Sequence, residues 1–153
     1  MTNTDDRPDE IAVSRADRAR SLESLHVVER HAGAAGPSRP DEWRDDLLFA
    51  LDDLASSLHD QFSRSASEDG LLARVAQDAP RLTSAIEELR NRHAGLLEEV
   101  DDLKQSLADL TRPVDIAAVR GRIGEMTGEL RELRAWETDL VYDAYAFDLG
   151  TGD

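Results

Sequence analysis

Residues 82–110 read LTSAIEELRNRHAGLLEEVDDLKQSLADL, and in them Leu82, Ile86, Leu89, His93, Leu96, Val100, Leu103, Leu107 and Leu110 follow one another in alternating steps of four and three. That spacing keeps a single stripe of a helix apolar through every turn, whereas a strand would need a period of two. Thr111 and Pro113 then interrupt the pattern. Beyond them Ile116, Val119, Ile123, Met126, Leu130, Leu133, Glu137, Leu140, Ala144 and Phe147 repeat the same alternation. Two long amphipathic helices joined by so short a connection are forced to lie antiparallel. The C-terminal half is therefore expected to be a helical hairpin with an apolar seam.

Working back toward the N-terminus, Trp43, Leu47, Leu51, Leu54, Leu58 and Phe62 set out a third stripe, which ends before Gly70. Ser38 with Asp41 resembles a capping box at its start. A short segment with Leu71, Leu72 and Val75 follows, and Asp78 and Pro80 mark the start of the next helix. Upstream of the break at Gly33, Gly36, Pro37 and Pro40, a weaker helix is expected from Asp9 to Ala32, with Leu22, Leu25, Val28 and Ala32 as its apolar face. The fold class is thus all-α: an up-down four-helix bundle over residues 9–149, with a disordered lead-in at 1–8 and a frayed tail at 150–153.

The composition agrees. A chain of 153 residues, 40% of them hydrophobic and only 5% aromatic, has the size and the aliphatic content for one helical core. A net charge of -15 repels phosphate backbones and anionic lipid, so neither nucleic acid nor membrane is an expected partner. The absence of cysteine removes disulfides, thiolate metal sites and cysteine nucleophiles. The sequence shows no signal-peptide pattern and no spanning apolar run, and the expected location is cytoplasmic.

Two residues break the apolar stripes, His93 and Glu137. Both point inward by phase, and folding the hairpin about Arg112 brings them near one layer, so a buried polar pair between them is expected, either as a register-fixing contact or as part of a metal site. His26 and His59 are the further candidate ligands, and His31 lies beside the first on the same weak helix. Gln61 falls on or next to a buried stripe and reads as an interfacial amide. Gly121, Gly124 and Gly128 share one face of the last helix with Ala117 and Ala135. Each glycine costs about 1 kcal/mol relative to alanine, so a close-packing role is expected, either against the first helix or against a second subunit. Trp136, Tyr142 and Tyr145 read as core and rim aromatics, and the acidic runs as solvated faces. One Glu-x-x-His run, from Glu23 to His26, occurs where a carboxylate-bridged metal pair would need two. No zinc-protease motif, phosphate loop or nucleophile elbow is found, and no enzymatic activity is expected.

Several segments together resemble the hemerythrin-like (HHE cation-binding) helical bundles: Gln61-Phe62, Asp69 to Leu72, Ala79 to Leu82, Arg92 to Leu97 and Asp139 to Tyr145. The resemblance runs from about residue 20 to the C-terminus. It implies a four-helix bundle whose metal-binding members hold two irons with five histidines and two carboxylates. Carried onto this chain, it places His26 and His93 at histidine positions, Gln61 and Ser65 where a histidine and a glutamate would stand, Leu97 and Leu133 in place of two more histidines, and Glu137 near a carboxylate position. Four histidines in all cannot supply that set. The expectation is a non-catalytic bundle without cofactor, an adaptor or regulatory module acting through an unidentified protein partner or self-association. The alternative is a reduced iron site built from His93, Glu137 and His26 or His59, responsive to oxygen or redox state.

Overall fold

Leucine-rich stripes of this kind fold by turning inward on one another, and the computed structural model has four long helices doing so. It describes residues 6–34 and 38–150, with side chains for 12–34 and 38–146. The elements are α1 (Asp6–Gly33), α2 (Pro40–Ala66), the short α3 (Leu71–Asp78), a 3-10 turn (Pro80–Leu82), α4 (Thr83–Ala108) and α5 (Ile116–Gly150). No strand occurs among the described residues. None of their helices is long and apolar enough to cross a membrane.

The four long helices form a closed ring: α1 packs on α2, α2 on α4, α4 on α5, and α5 returns to α1. Contacts along each pair run in opposite chain directions. Ser24 meets Asp53 while Asp17 meets Arg64. Asp52 meets Lys104 while Phe62 meets His93. Arg120 reaches Ala32 while Glu137 meets Arg18. Inside lie the predicted stripes. On α4, Ile86, Leu89, His93, Leu96, Val100, Leu103 and Leu107 are buried. On α5, Val119, Ile123, Met126, Leu130, Leu133, Glu137, Leu140 and Ala144 are. Leu110 departs from the pattern: α4 stops at Ala108, and this leucine stands 74% exposed in the connection.

Three expectations about the ends need correction. First, α1 begins at Asp6, inside the stretch read as a disordered lead-in. Pro8 is tolerated there because first-turn N–H groups have no intrahelical acceptor to lose. α5 runs to Gly150, and residues 1–5 and 151–153 lie outside the described residues. Second, the Ser38 capping box does not form. Pro40 takes the first helical position behind Arg39, with no side-chain cap hydrogen bond. Third, the start assigned to Asp78 and Pro80 divides into the C-terminus of α3 and a 3-10 turn that leads into α4.

The weak helix α1 docks through polar contacts more than through leucines. Leu25, Val28 and Ala32 are buried, but so are Asp17, Ser21 and Ser24. Ser24 Oγ donates to Asp53 Oδ2 at 2.8 Å and shares a bond with Ser57 Oγ at 2.9 Å. Arg20 pairs with Asp60 across the same interface at 2.9 Å. A buried face made of small hydroxyls permits close helix approach while leaving little apolar periodicity to read.

Candidate functional site

The phase of the heptads places His93 and Glu137 inside, and both are there, at 4% and 2% exposure. The contact expected between them is replaced by a separate partner for each. The His93 ring lies flat on Phe62, centroids 3.8 Å apart and planes 1° from parallel. Burial lowers its pKa to about 4, with the Arg90 charge adding to the effect, so the imidazole is neutral at physiological pH. Glu137 Oε1 is 3.1 Å from Arg18 on α1. Arg134, one turn earlier on α5, is close enough to feel both charges. Heptad phase determines depth in the core but not the direction in which a side chain turns, and these two turn toward different helices.

The remaining candidate ligands lie outside. His26 is exposed. The His59 side chain is 71% exposed, and its nearest carboxylate, on Asp60, is 3.9 Å away. The set His93, Glu137, His26 and His59 therefore does not converge. Among the described residues, no group of three or more histidines and carboxylates is placed to hold a metal ion.

What does converge is a cavity of about 470 Å³ at the end of the bundle where α3 crosses. Val13 and Asp17 enter it from α1, Gln61, Arg64 and Ser65 from α2, and Glu137 from α5. Gly70 and Leu71 close it at the start of α3. Gly70 is needed for that closure: a Cβ there would collide with the backbone carbonyls of Arg64 and Ser65. Its backbone φ is -80°, so the requirement is one of space, not of conformation. The N–H of Gly70 donates to Ser67 O at 2.8 Å, but α3 has no side-chain cap.

The polar groups of this cavity are unevenly satisfied. Asp17, 7% exposed, accepts from Arg64 at 2.5 Å. Gln61, expected from its phase to be an interfacial amide, is 5% exposed and borders the cavity. Ser65 Oγ is buried without a hydrogen-bond partner among the described residues. Sequence reasoning singled out Gln61 and Glu137 one at a time. It missed the cavity itself, because Val13, Asp17 and Gly70 carry no shared periodicity that could have linked them.

Of the two packing roles expected of the glycine face, the one against the first helix is not found among the described residues. Gly121, Gly124 and Gly128 are exposed, and a Cβ at any of them would meet nothing within 4 Å. The first helix does not pack on them, because α1 meets α5 along a different line, marked by Glu29 with Arg131 and Arg18 with Glu137. Ala117 and Ala135 are exposed as well. The aromatics divide: Tyr142 is 73% exposed, Tyr145 donates to Asp78 at 3.2 Å, and Trp136 lies 5.9 Å beneath the Arg92 guanidinium.

Comparison with protein-family models, with characterised proteins and with solved structures finds no match to this chain.

Proposed function

We propose that this chain is a hemerythrin-like, up-down four-helix bundle without the metal chemistry of that class, acting as an adaptor or regulatory module through the outer face of α5. The opposed helix directions support the topology. The class reading is supported by the convergence of Gln61, Ser65 and Glu137, all assigned to ligand positions by resemblance, on one cavity at one end of the bundle. Leu133, at a position where the resemblance would have a histidine, is buried, and His93, at a matching histidine position, is stacked on Phe62.

The observation that carries the adaptor reading is the exposed line on α5. Gly121, Gly128, Ala135 and Tyr142 recur at intervals of seven, so they share one stripe, and every one of them faces solvent. Three small side chains leave helix backbone accessible, and an exposed aromatic ends the line; another helix can approach the first closely and bury the second. Among the described residues, a Cβ at Gly121 or Gly128 would meet nothing within 4 Å, and Tyr142 is 73% exposed. A protein partner or a second copy of the chain fits it, and the net charge of -15 favours either over nucleic acid or membrane.

A photo-crosslinking residue introduced at position 128, with a matched one at exposed Glu88 on α4, tests the reading in the producing cell. Discrete adducts from position 128 alone are expected, and sedimentation equilibrium of the purified protein separates self-association from a different partner. Equal or absent adducts at the two positions would remove the adaptor reading. Near-stoichiometric iron in protein expressed in iron-supplemented medium would remove the metal-free part of it.

A further inference from the structure

We infer that the outer face of α2 around Phe49 is a docking surface for an arginine-rich segment of another protein. In the ring of helices α2 stands diagonally across from α5, so this goes beyond the adaptor reading of the α5 face and does not depend on it.

Phe49 is 79% exposed, the most exposed of the large apolar side chains among the described residues. It lies on the far side of α2 from Trp43, Leu47, Leu51, Leu54 and Leu58, which fill the core. A single exposed aromatic is common and asks for no explanation by itself. Its setting does. The positions three and four residues before and after it, which flank a side chain on a helix surface, are Asp45, Asp46, Asp52 and Asp53, and all of them are exposed.

Two of these carboxylates serve the fold. Lys104 pairs with Asp52, and Ser24 donates to Asp53. Asp45 and Asp46 take part in no ion pair among the described residues, and the nearby bases Arg39 and Arg44 are engaged by Glu42 and Asp41. The helix dipole does not account for them either, because Asp41 and Glu42 already occupy the first turn and aspartate is a poor helix former further in. The face therefore carries negative charge beside an apolar ring, with no use for either inside the chain.

That combination selects a cation with a flat, weakly hydrated surface. The face of an aromatic ring attracts positive charge, and carboxylates at its edge add to the attraction. A guanidinium lies flat on such a ring while donating in its own plane to carboxylates, which an ammonium cannot do. Arg92 over Trp136, 5.9 Å from the ring centroid, is an instance within this chain. A second copy of the chain, with a net charge of -15, is repelled by this face, so the arginines come from a different protein.

Fluorescence anisotropy of the full chain with a short labelled peptide that alternates arginine and alanine tests this, beside versions with lysine or glutamine in place of arginine. Saturable binding of the arginine peptide is expected at low salt, about threefold weaker with lysine and lost with glutamine. Phe49→Ala, at a side chain too exposed to support the core, is expected to weaken binding about fivefold, and Asp45→Asn with Asp46→Asn about tenfold. Glu98→Gln with Asp102→Asn removes the same charge from exposed positions on α4 and is expected to leave affinity within about twofold. Absence of binding overturns the inference, as does unchanged affinity in Phe49→Ala. Equal weakening by the α2 and α4 charge variants overturns it too, by assigning binding to net charge alone. Self-association of the purified chain that Phe49→Ala abolishes would give the face to a second copy instead. None of these results bears on crosslinking at position 128, so the two readings fail separately.

Discussion

The rings of His93 and Phe62 lie face to face, 3.8 Å apart and within 1° of parallel, and this stack joins α4 to α2 in the middle of the core. A stacked imidazole in apolar surroundings is held neutral by its burial. It takes the place of an aromatic core residue while keeping the capacity to titrate.

That capacity predicts an acid sensitivity. In the unfolded chain His93 binds a proton below about 6.5, but in the folded chain only below about 4. Between those values the unfolded state takes up the proton first, so stability falls as pH drops through the window and is fully retained only above it. The loss assignable to His93 is about 2 kcal/mol between about pH 7 and about pH 5. Urea unfolding of the native chain and of His93→Phe at both pH values isolates it, since the carboxylates titrate alike in the two proteins. A native chain and variant with the same pH slope would contradict the assignment.

Glu137, 2% exposed and paired with Arg18, predicts an asymmetric mutational response. Arg18→Ala leaves a buried carboxylate with only the more distant Arg134 and is expected to cost about 3 kcal/mol. Replacing both partners, as Arg18→Met with Glu137→Leu, removes the charge together with its desolvation cost and is expected to recover most of that loss. Chemical denaturation of the single and double variants provides the comparison. A double variant no more stable than Arg18→Ala would show that the pair contributes net stability.

The parts of this fold that could be read in advance are those held by leucine. The stripes of α2, α4 and α5 predict their buried residues almost one for one, because apolar contacts at core positions have no alternative destination. α1 is harder to read, since Asp17, Ser21 and Ser24 bury polar surface that in a sequence looks solvent-facing. His93 and Glu137 were placed inside correctly and paired wrongly, because periodicity carries no information on rotamers. The cavity escaped because its walls come from four elements and its necessary glycine, Gly70, matters for a clash with Arg64 and Ser65 that no spacing reveals.

The exposed glycines predict a stabilised variant. Gly121→Ala, Gly124→Ala and Gly128→Ala each add a methyl group that meets nothing and removes backbone freedom from the unfolded chain. Each is expected to stabilise by about 0.5–1 kcal/mol, and together they should raise the thermal midpoint clearly. If a partner helix uses this stripe, the same triple variant weakens that association while folding better, and the two readouts move in opposite directions. A lowered midpoint would mean that the chain itself packs against the glycines.

Arg120 carries the last prediction. Its Nε donates to the carbonyl of Ala32 at 2.6 Å and its Nη2 to that of Ala34 at 2.7 Å, so a side chain from the start of α5 satisfies carbonyls at the end of α1. Helix C-termini leave such carbonyls without intrahelical donors and carry partial negative charge, which a guanidinium answers on both counts. The polar docking face of α1 makes this anchor more consequential, because few leucines hold the same turn. Arg120→Ala is expected to cost about 1 kcal/mol overall, a modest figure because one of the two bonds is exposed to solvent. Its distinctive effect is local: amide exchange should accelerate in the last turn of α1 while α4 and the middle of α5 keep their protection. Arg120→Lys, able to reach one carbonyl but not to fork across two, should fall between. Exchange that quickens evenly along the whole chain would assign Arg120 to global stability and not to capping α1.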